Sequence, residues 1–562
     1  MLAAHTLPRK AVIFSLLIGL GFLAVYPFAM LMYGSVHSTP PGIAGSFNLD
    51  GYRQLLSPEY AQILWDSVHI SLVKTALSLA LATLLAWIIA RTDTPCGRGL
   101  EILITLPFFI PPILTATAWG MLGSPQAGTI NLVWRALTGF EGPLIDVYSY
   151  GGVVWHLMQY STTFLFIFLV EAFRSMDPSM EEASRMSGAS GVRTFFGITL
   201  MLMLPVLTNS FILSFIRGVE AFESPVFFGA PVGIEVITTK IYSLLNHSAQ
   251  PNYQAATALG FMTMFAMFVI IALQWRILRG KSFSTVSGKG FTPRIIRLGR
   301  LRWLTFSICA LFIACTVVLP LGQLLLSSFF RFFGFYSWDM FTFDHYRNVL
   351  SNRAVWTALK NTLWLGLTGA TVVMIFGSVI AYVVVRTKWP VRRLIELMAW
   401  LPWMMPGIVL GIGFLWAFSL LPNAIPIYGT LWALFLAYVA LCTPVGVRIM
   451  SGAFQQLSYD LEECSRVHGA TPIQTMTRIL LALAWPSFAA GWILAFFGVF
   501  RELSASILLY STGNEVLSVL ILQMWAGGKP EEVSVVALIM LALVLFFRWL
   551  QLAVVRKRIT RN

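Results

Sequence analysis

From Leu397 to Val447 the chain runs for 51 residues without one Asp, Glu, Lys or Arg. A helix needs about 20 apolar residues to cross the hydrocarbon of a bilayer, so this stretch is two crossings joined by a turn. Leu421-Pro422-Asn423-Ala424-Ile425-Pro426 supplies the turn, because proline and asparagine interrupt a helix there. The rest of the chain agrees. Only 11% of its 562 residues are charged, against about 25% in a soluble domain. Further apolar runs lie near 11–36, 66–90, 100–123, 151–173, 197–222 and 252–275, and then near 303–329, 357–385, 479–503 and 533–555. The 397–447 stretch divides into spans near 395–420 and 427–447. The first run is too long for a signal-peptide core and lacks a small-residue cleavage site, so it is read as a helix. The expectation is an all-α integral membrane protein with about 12 transmembrane helices.

The formal charge of +14 would suggest nucleic acid in a soluble protein. Here the positions of the charges decide. With both termini on the cytoplasmic side, 27 of the 38 Lys and Arg fall in inner segments and seven in outer loops. Such a bias orients spans. The largest cluster, Arg276, Arg279, Lys281, Lys289, Arg294, Arg297, Arg300 and Arg302, contains no acid. It reads as a solvated inner loop beside anionic headgroups, with no nucleic-acid partner. The five cysteines form no CxxC pair and give neither a disulfide framework nor a metal site.

The two sets of six spans are copies. Phe47-Asn48-Leu49-Asp50-Gly51-Tyr52-Arg53 matches Phe341-Thr342-Phe343-Asp344-His345-Tyr346-Arg347. Arg91-Thr92 matches Arg386-Thr387, Leu106-Pro107 matches Leu401-Pro402, and Pro111 matches Pro406. An extra outer segment near 138–152 interrupts the first copy only. An even number of spans per copy makes the repeat parallel, with its axis along the membrane normal and a path between the halves. The division is 1–285, a basic linker 286–302, and 303–562.

One inner loop in each half, 177–196 and 458–477, has its own pattern. In the first, Asp177 can cap a helix with Pro178 at its start, and Glu181 and Glu182 suit the positive end of that helix. Gly188 and Gly469 fit a left-handed residue that stops each helix, and Ser190 and Thr471 can cap the next one. The product is a short helix, a sharp bend and a second helix.

The wording of these loops resembles the Glu-Ala-Ala (EAA) loop by which ABC importer permeases dock on their ATPase. Glu182, Ala183, Gly188, Ile198 and Leu200 fit the first copy, and Glu463, Gly469, Ile479 and Leu481 the second. The departures are Ser184 and Ser465 at the third position, Cys464 at the second, and Met201 and Ala482 where a proline would stand. The resemblance covers the whole chain as two six-helix permease domains. It implies that Glu181, Glu182, Ala183, Arg185 and Gly188, with Glu462, Glu463, Arg466 and Gly469, couple to an ABC ATPase homodimer on the cytoplasmic side. It also implies a periplasmic substrate-binding protein and a bacterial inner-membrane location.

No Walker A loop is present: Gly280-Lys281-Ser282 follows a span, and Trp275 stands where the earlier glycine belongs. No catalytic constellation stands out, so the expectation is a non-enzyme without a cofactor of its own, ATP and magnesium being held by the partner. Ionisable residues inside the bilayer are functional suspects. Arg217, Glu220 and Glu223 in the fifth span, and Arg501 and Glu502 in the eleventh, are candidates for the translocation path or for salt-bridged packing. Lys74 and Lys360 are expected to snorkel or pair, His69 and His156 to be satisfied within the bundle, and Glu101 to pair with Arg98. Pro111, Pro112, Pro406 and Gly407 mark a gate hinge or close packing.

Among fused permeases, Phe500-Arg501-Glu502-Leu503-Ser504-Ala505 and Pro231-Val232-Gly233-Ile234-Glu235-Val236 resemble the ferric-iron type. Thiamine, phosphonate and polyamine permeases are the alternatives within the class. An ion-coupled secondary transporter is the alternative outside it, although such a protein needs no ATPase dock.

Overall fold

The computed structural model describes residues 6–246, 250–278, 295–422 and 425–559. Arg279, Lys281, Lys289 and Arg294 of the basic linker, and Asn423-Ala424 of the predicted turn, lie outside the described residues. Among those described, regular structure is helical, with three isolated β-bridges.

Nine unbroken helices are long and apolar enough to cross a membrane. In the first half they are α1 (Lys10–Val36), α2 (Pro58–Arg91), α5 (Tyr150–Ser175), α7 (Gly191–Val219) and α9 (Tyr253–Gln274). In the second they are α10 (Gly299–Ser328), α11 (Arg353–Arg386), α14 (Leu431–Gln455) and α19 (Pro530–Leu550). Three further spans are broken. They are α3 (Gly97–Phe108) with α4 (Pro112–Gly123), α12 (Arg392–Met404) with α13 (Gly407–Ser419), and α16 (Pro472–Leu483) with α17 (Trp485–Phe500). Counting each pair as one span gives twelve, as the hydropathy predicts.

Two of the breaks fall at the prolines that the sequence marks in the third and ninth spans. The third and ninth spans turn by 96° and 111°. A residue before proline is pushed out of the helical region, and proline donates no N–H. Met405, before Pro406, is extended at φ −107° and ψ 118°, and Pro111 and Pro406 have extended ψ values of 131° and 145°. The eleventh span bends by 80° just before Trp485-Pro486, whereas α7 carries Pro205 within a continuous helix. Two short helices, α8 (Ile237–Asn246) and α18 (Leu517–Ala526), occupy segments the hydropathy leaves as loops.

The two 34-residue helices α2 and α11 are about 51 Å long at 1.5 Å per residue, more than the hydrocarbon requires. Each packs along the fourth span of its own half, α5 or α14. Each ends in an arginine, Arg91 or Arg386, on the face that also carries the two predicted hairpins.

The first span of each half lies between the last span of its own half and the other half. α1 packs on α13 of the second half, and α10 packs on α4 of the first. The approach is close: a Cβ on Gly34 would lie 2.4 Å from the indole of Trp416, which is wholly buried. Tyr26 donates to the Ala417 carbonyl at 3.1 Å, and Trp416 Nε1 donates to Thr257 at 3.0 Å. One buried core runs through both halves, holding Leu31, Ile113 and Phe227 together with Val409, Trp416 and Phe497.

Candidate functional site

Two places gather the charged residues that the sequence singles out. On the hairpin face, α6 (Ser179–Met186) and α15 (Asp460–Val467) are the predicted short helices. Asp177 accepts from the Ser179 N–H at 2.9 Å and so caps α6. Gly188 and Gly469 have φ of +84° and +79°, and behind them the Ala189 and Ala470 amides reach back to the Ser184 and Ser465 carbonyls at 3.1 Å. That is the left-handed stop the glycines foretell. Ser190 caps the following helix at Arg193 N, and Thr471 forms a full capping box with Gln474.

The two departures from the Glu-Ala-Ala wording gain a reason. Ser184 Oγ meets Thr194 Oγ1 at 3.1 Å, and Ser465 Oγ meets Thr475 Oγ1 at 2.8 Å. Each serine ties its short helix to the helix that follows, at the same spacing in both halves.

The acids divide by face. Glu181 and Glu462 are buried, and Glu463 is exposed. Glu181 pairs with Arg91 and accepts from Thr199 Oγ1 at 2.6 Å. Glu462 lies 3.4 Å from Arg386 and 3.6 Å from Arg466. Arg386 also donates to the carbonyls of Phe454 at 2.5 Å and Leu457 at 2.7 Å, with its guanidinium 4.3 Å from the Tyr459 ring. Burial pushes the Glu462 carboxyl above its ordinary value, against the pull of Arg386 and Arg466. Thus each short helix is anchored through its first buried glutamate to the arginine that ends a long span. Ala183, Arg185, Gly188, Glu463, Arg466 and Gly469 lie on the exposed side, beside Met186 and Val467, which are 88% and 85% exposed. Arg91 and Arg386 are the residues sequence reasoning missed as site residues. Their match across the repeat was the available signal.

The second gathering lies between the halves. Glu223, Arg501 and Arg217 come within electrostatic reach of Glu502, and Glu220 joins the group through Arg217. Arg217 pairs with Glu220 at 3.0 Å. Glu502 Oε1 accepts from Ala505 N at 2.9 Å and lies against Gly407, at the start of α13, where a Cβ would be 3.0 Å away. Beside the cluster, His156 Nδ1 meets Ser224 Oγ at 2.5 Å, and Tyr438 meets Ser506 Oγ at 2.5 Å at the matching place in the second half.

Three neighbouring expectations resolve. Lys74 neither snorkels nor pairs with an acid. It is buried, and its Nζ donates to Ser161 Oγ at 2.8 Å, the Ser214 carbonyl at 2.7 Å and Ser214 Oγ at 3.1 Å, because mid-span it is too far from either surface. His69 and His156 are satisfied, His69 by Tyr150 at 2.7 Å and His156 by Ser224 and by Thr115 at 2.9 Å. Glu101 pairs with Arg174 rather than Arg98, since the guanidinium fork meets both carboxylate oxygens at 2.9 and 2.6 Å. No group of three or more His, Cys, Asp or Glu among the described residues is arranged to hold a metal ion.

Comparison with known proteins adds an independent line. The family described as binding-protein-dependent transport system inner membrane component matches residues 78–281 and again 373–560. The ferric transport system permease protein FbpB of Actinobacillus pleuropneumoniae is 27% identical over 508 residues, covering 87% of this chain and 70% of its own length. The Fe(3+)-transport system permease protein FbpB 2 of Haemophilus influenzae is 24% identical over 541 residues, covering 94% and 95%. The spermidine/putrescine transport system permease protein PotC of Escherichia coli is 26% identical over 207 residues, 37% of this chain and 77% of its own.

Proposed function

Since the chain belongs to the family of binding-protein-dependent transport system inner membrane components, we propose that it is the fused permease of an ABC importer for ferric iron, giving alternating-access passage to cargo delivered from a periplasmic binding protein. The observation that carries the reading is the pair of hairpins, built alike in both halves and anchored alike to the ends of long spans. An ATPase homodimer, holding ATP and magnesium, docks on the exposed sides of α6 and α15, where Glu182, Arg185 and Gly188 have their counterparts in Glu463, Arg466 and Gly469, and Cys464 stands where the first copy has Ala183. Glu181 and Glu462 transmit the motion inward. When the ATPases close, each short helix moves as a lever on Arg91 or Arg386, and the halves rock. Such an element works only through contacts that differ between the two states. The face with the hairpins is cytoplasmic, as are both termini.

Ferric iron is favoured by the relatives that match along nearly the whole fused chain, whereas the polyamine permease matches 37% of it. Fe(III) is a hard cation that carboxylates suit, and Glu220, Glu223 and Glu502 lie where cargo passes between the halves. The test is uptake of radiolabelled Fe(III) into liposomes that hold the permease with its ATPase and binding protein, with thiamine, a phosphonate and spermidine as competitors. ATP-dependent iron uptake is expected, lost in Glu182→Lys or Gly469→Asp although the protein remains inserted. Full transport by those variants would remove the lever mechanism. Uptake without any ATPase would move the protein to the gradient-driven class.

A further inference from the structure

Two arginines, one near the end of the fifth span and one near the end of the eleventh, reach across the molecule. Arg217, near the end of α7, sets its guanidinium carbon 4.6 Å from the centre of the Trp403 indole in the second half. Arg501, just beyond α17, stands over two rings of the first half, Phe108 at 5.4 Å and Tyr160 at 5.1 Å. Its Nη1 also donates to the Phe108 carbonyl at 3.3 Å. The receiving rings are themselves counterparts, because Leu106-Pro107-Phe108 aligns with Leu401-Pro402-Trp403. Each belongs to the tight turn at which a span breaks, by 96° in the first half and 111° in the second. An arginine of each half is therefore lodged on the aromatic tip of the other half's broken span.

Lys74 sits at the middle of the 34-residue α2 and donates to Ser214, three residues before Arg217, so the contacts lie well away from the ends of that long span. Phe109 meets Phe497 edge-on at 5.3 Å beside them, also across the halves. A guanidinium is flat and weakly hydrated, so it can exchange water for a ring face, and the attraction grows when water is excluded. The halves have kept this arrangement while much else diverged. The ring is Phe in one copy and Trp in the other, and the arginines stand two positions out of register: Ser224 aligns with Ser506 and Glu220 with Glu502, yet a cation reaches the tip in both copies. Packing alone does not ask for a cation on the ring at both tips.

We propose that Arg217–Trp403 and Arg501–Phe108/Tyr160 form the gate of the path between the halves, a two-point cation–π clasp that seals it when the halves approach and parts as they rock. The proposal rests on the transport reading. Because both contacts join one half to the other, they cannot survive a rotation that separates the halves, whereas Arg217–Glu220 lies within one half and persists. The broken spans carry the tips, so movement of α3 or α12 at the hairpin face is delivered directly to the rings.

The test uses the full-length protein alone, reconstituted in liposomes loaded with potassium iodide, with efflux of both ions followed by electrode. Wild-type vesicles should stay tight. Phe108→Ala with Trp403→Ala should raise efflux at least tenfold, each single variant should raise it less, and Trp403→Phe, which keeps a ring face under Arg217, should stay tight. Trypsin access to the basic linker verifies insertion of every variant. An inserted double variant that is as tight as wild type overturns the proposal. So does a Trp403→Phe variant as leaky as Trp403→Ala, since that outcome assigns the seal to indole volume rather than to a charged group on a ring. The assay needs neither ATPase nor cargo, so its failure is separate from failure of the iron-uptake experiment.

Discussion

Arg91 shows how much one side chain can carry. It is wholly buried, and its described partner is Glu181, which in turn holds Thr199. Burying two charges is expensive, and the arrangement is stable only while both are present. Arg91→Ala leaves Glu181 buried without its cation, a loss of about 3–5 kcal/mol where such pairs are broken. The expected outcome is a lower unfolding temperature in detergent and faster hydrogen exchange across Ser179–Met186, with the second hairpin, held by Arg386, unchanged. Equal exchange in both hairpins would show that the arginine does not anchor α6. The residue was plain in the sequence as half of the matched Arg-Thr pair. Its partner was not, because 90 residues separate Arg91 from Glu181.

At the scale of elements, the hairpins and the broken spans are ruled by a few backbone positions. Gly188 has φ +84° and no atom within 4 Å of an added Cβ, so the cost of a side chain there comes from the backbone alone. A left-handed non-glycine residue costs roughly 1–2 kcal/mol. Gly188→Ala should therefore loosen the bend without disturbing the packing. The readout is faster exchange at the Ala189 amide and reduced ATP-driven uptake, with an unchanged unfolding temperature for the bundle. An uptake rate equal to wild type would show that the bend need not be rigid. The capping residues made this element legible: Asp177, Ser190 and Thr471 all act as their side chains require. The broken spans were half legible. Pro111 and Pro406 announced an interruption, but the turns of 96° and 111° depend on what receives the tips.

In the whole molecule, the first span of each half bridges the two, packed both on its own half's last span and on the other half. Gly34 is the tightest described point of that bridge, facing the Trp416 indole. Overpacking a filled core costs typically about 1–3 kcal/mol. Gly34→Leu should lower the unfolding temperature, and Trp416→Ala in the same chain should restore part of the loss by making room. If the second change only adds to the first, α1 does not seat against α13 in this way.

The chain by itself determined what is local or one-dimensional: the crossings, set by apolar length; the duplication; and the helix stops and caps of the hairpins. Only the tertiary structure decided which residues meet across hundreds of positions, as Arg501 meets Phe108 and Tyr26 meets Ala417. The physical reason is that hydrophobic length and capping act within a few turns of helix, whereas partners between spans are chosen by close packing. Packing depends on shape in three dimensions, and neither periodicity nor charge along the chain encodes it.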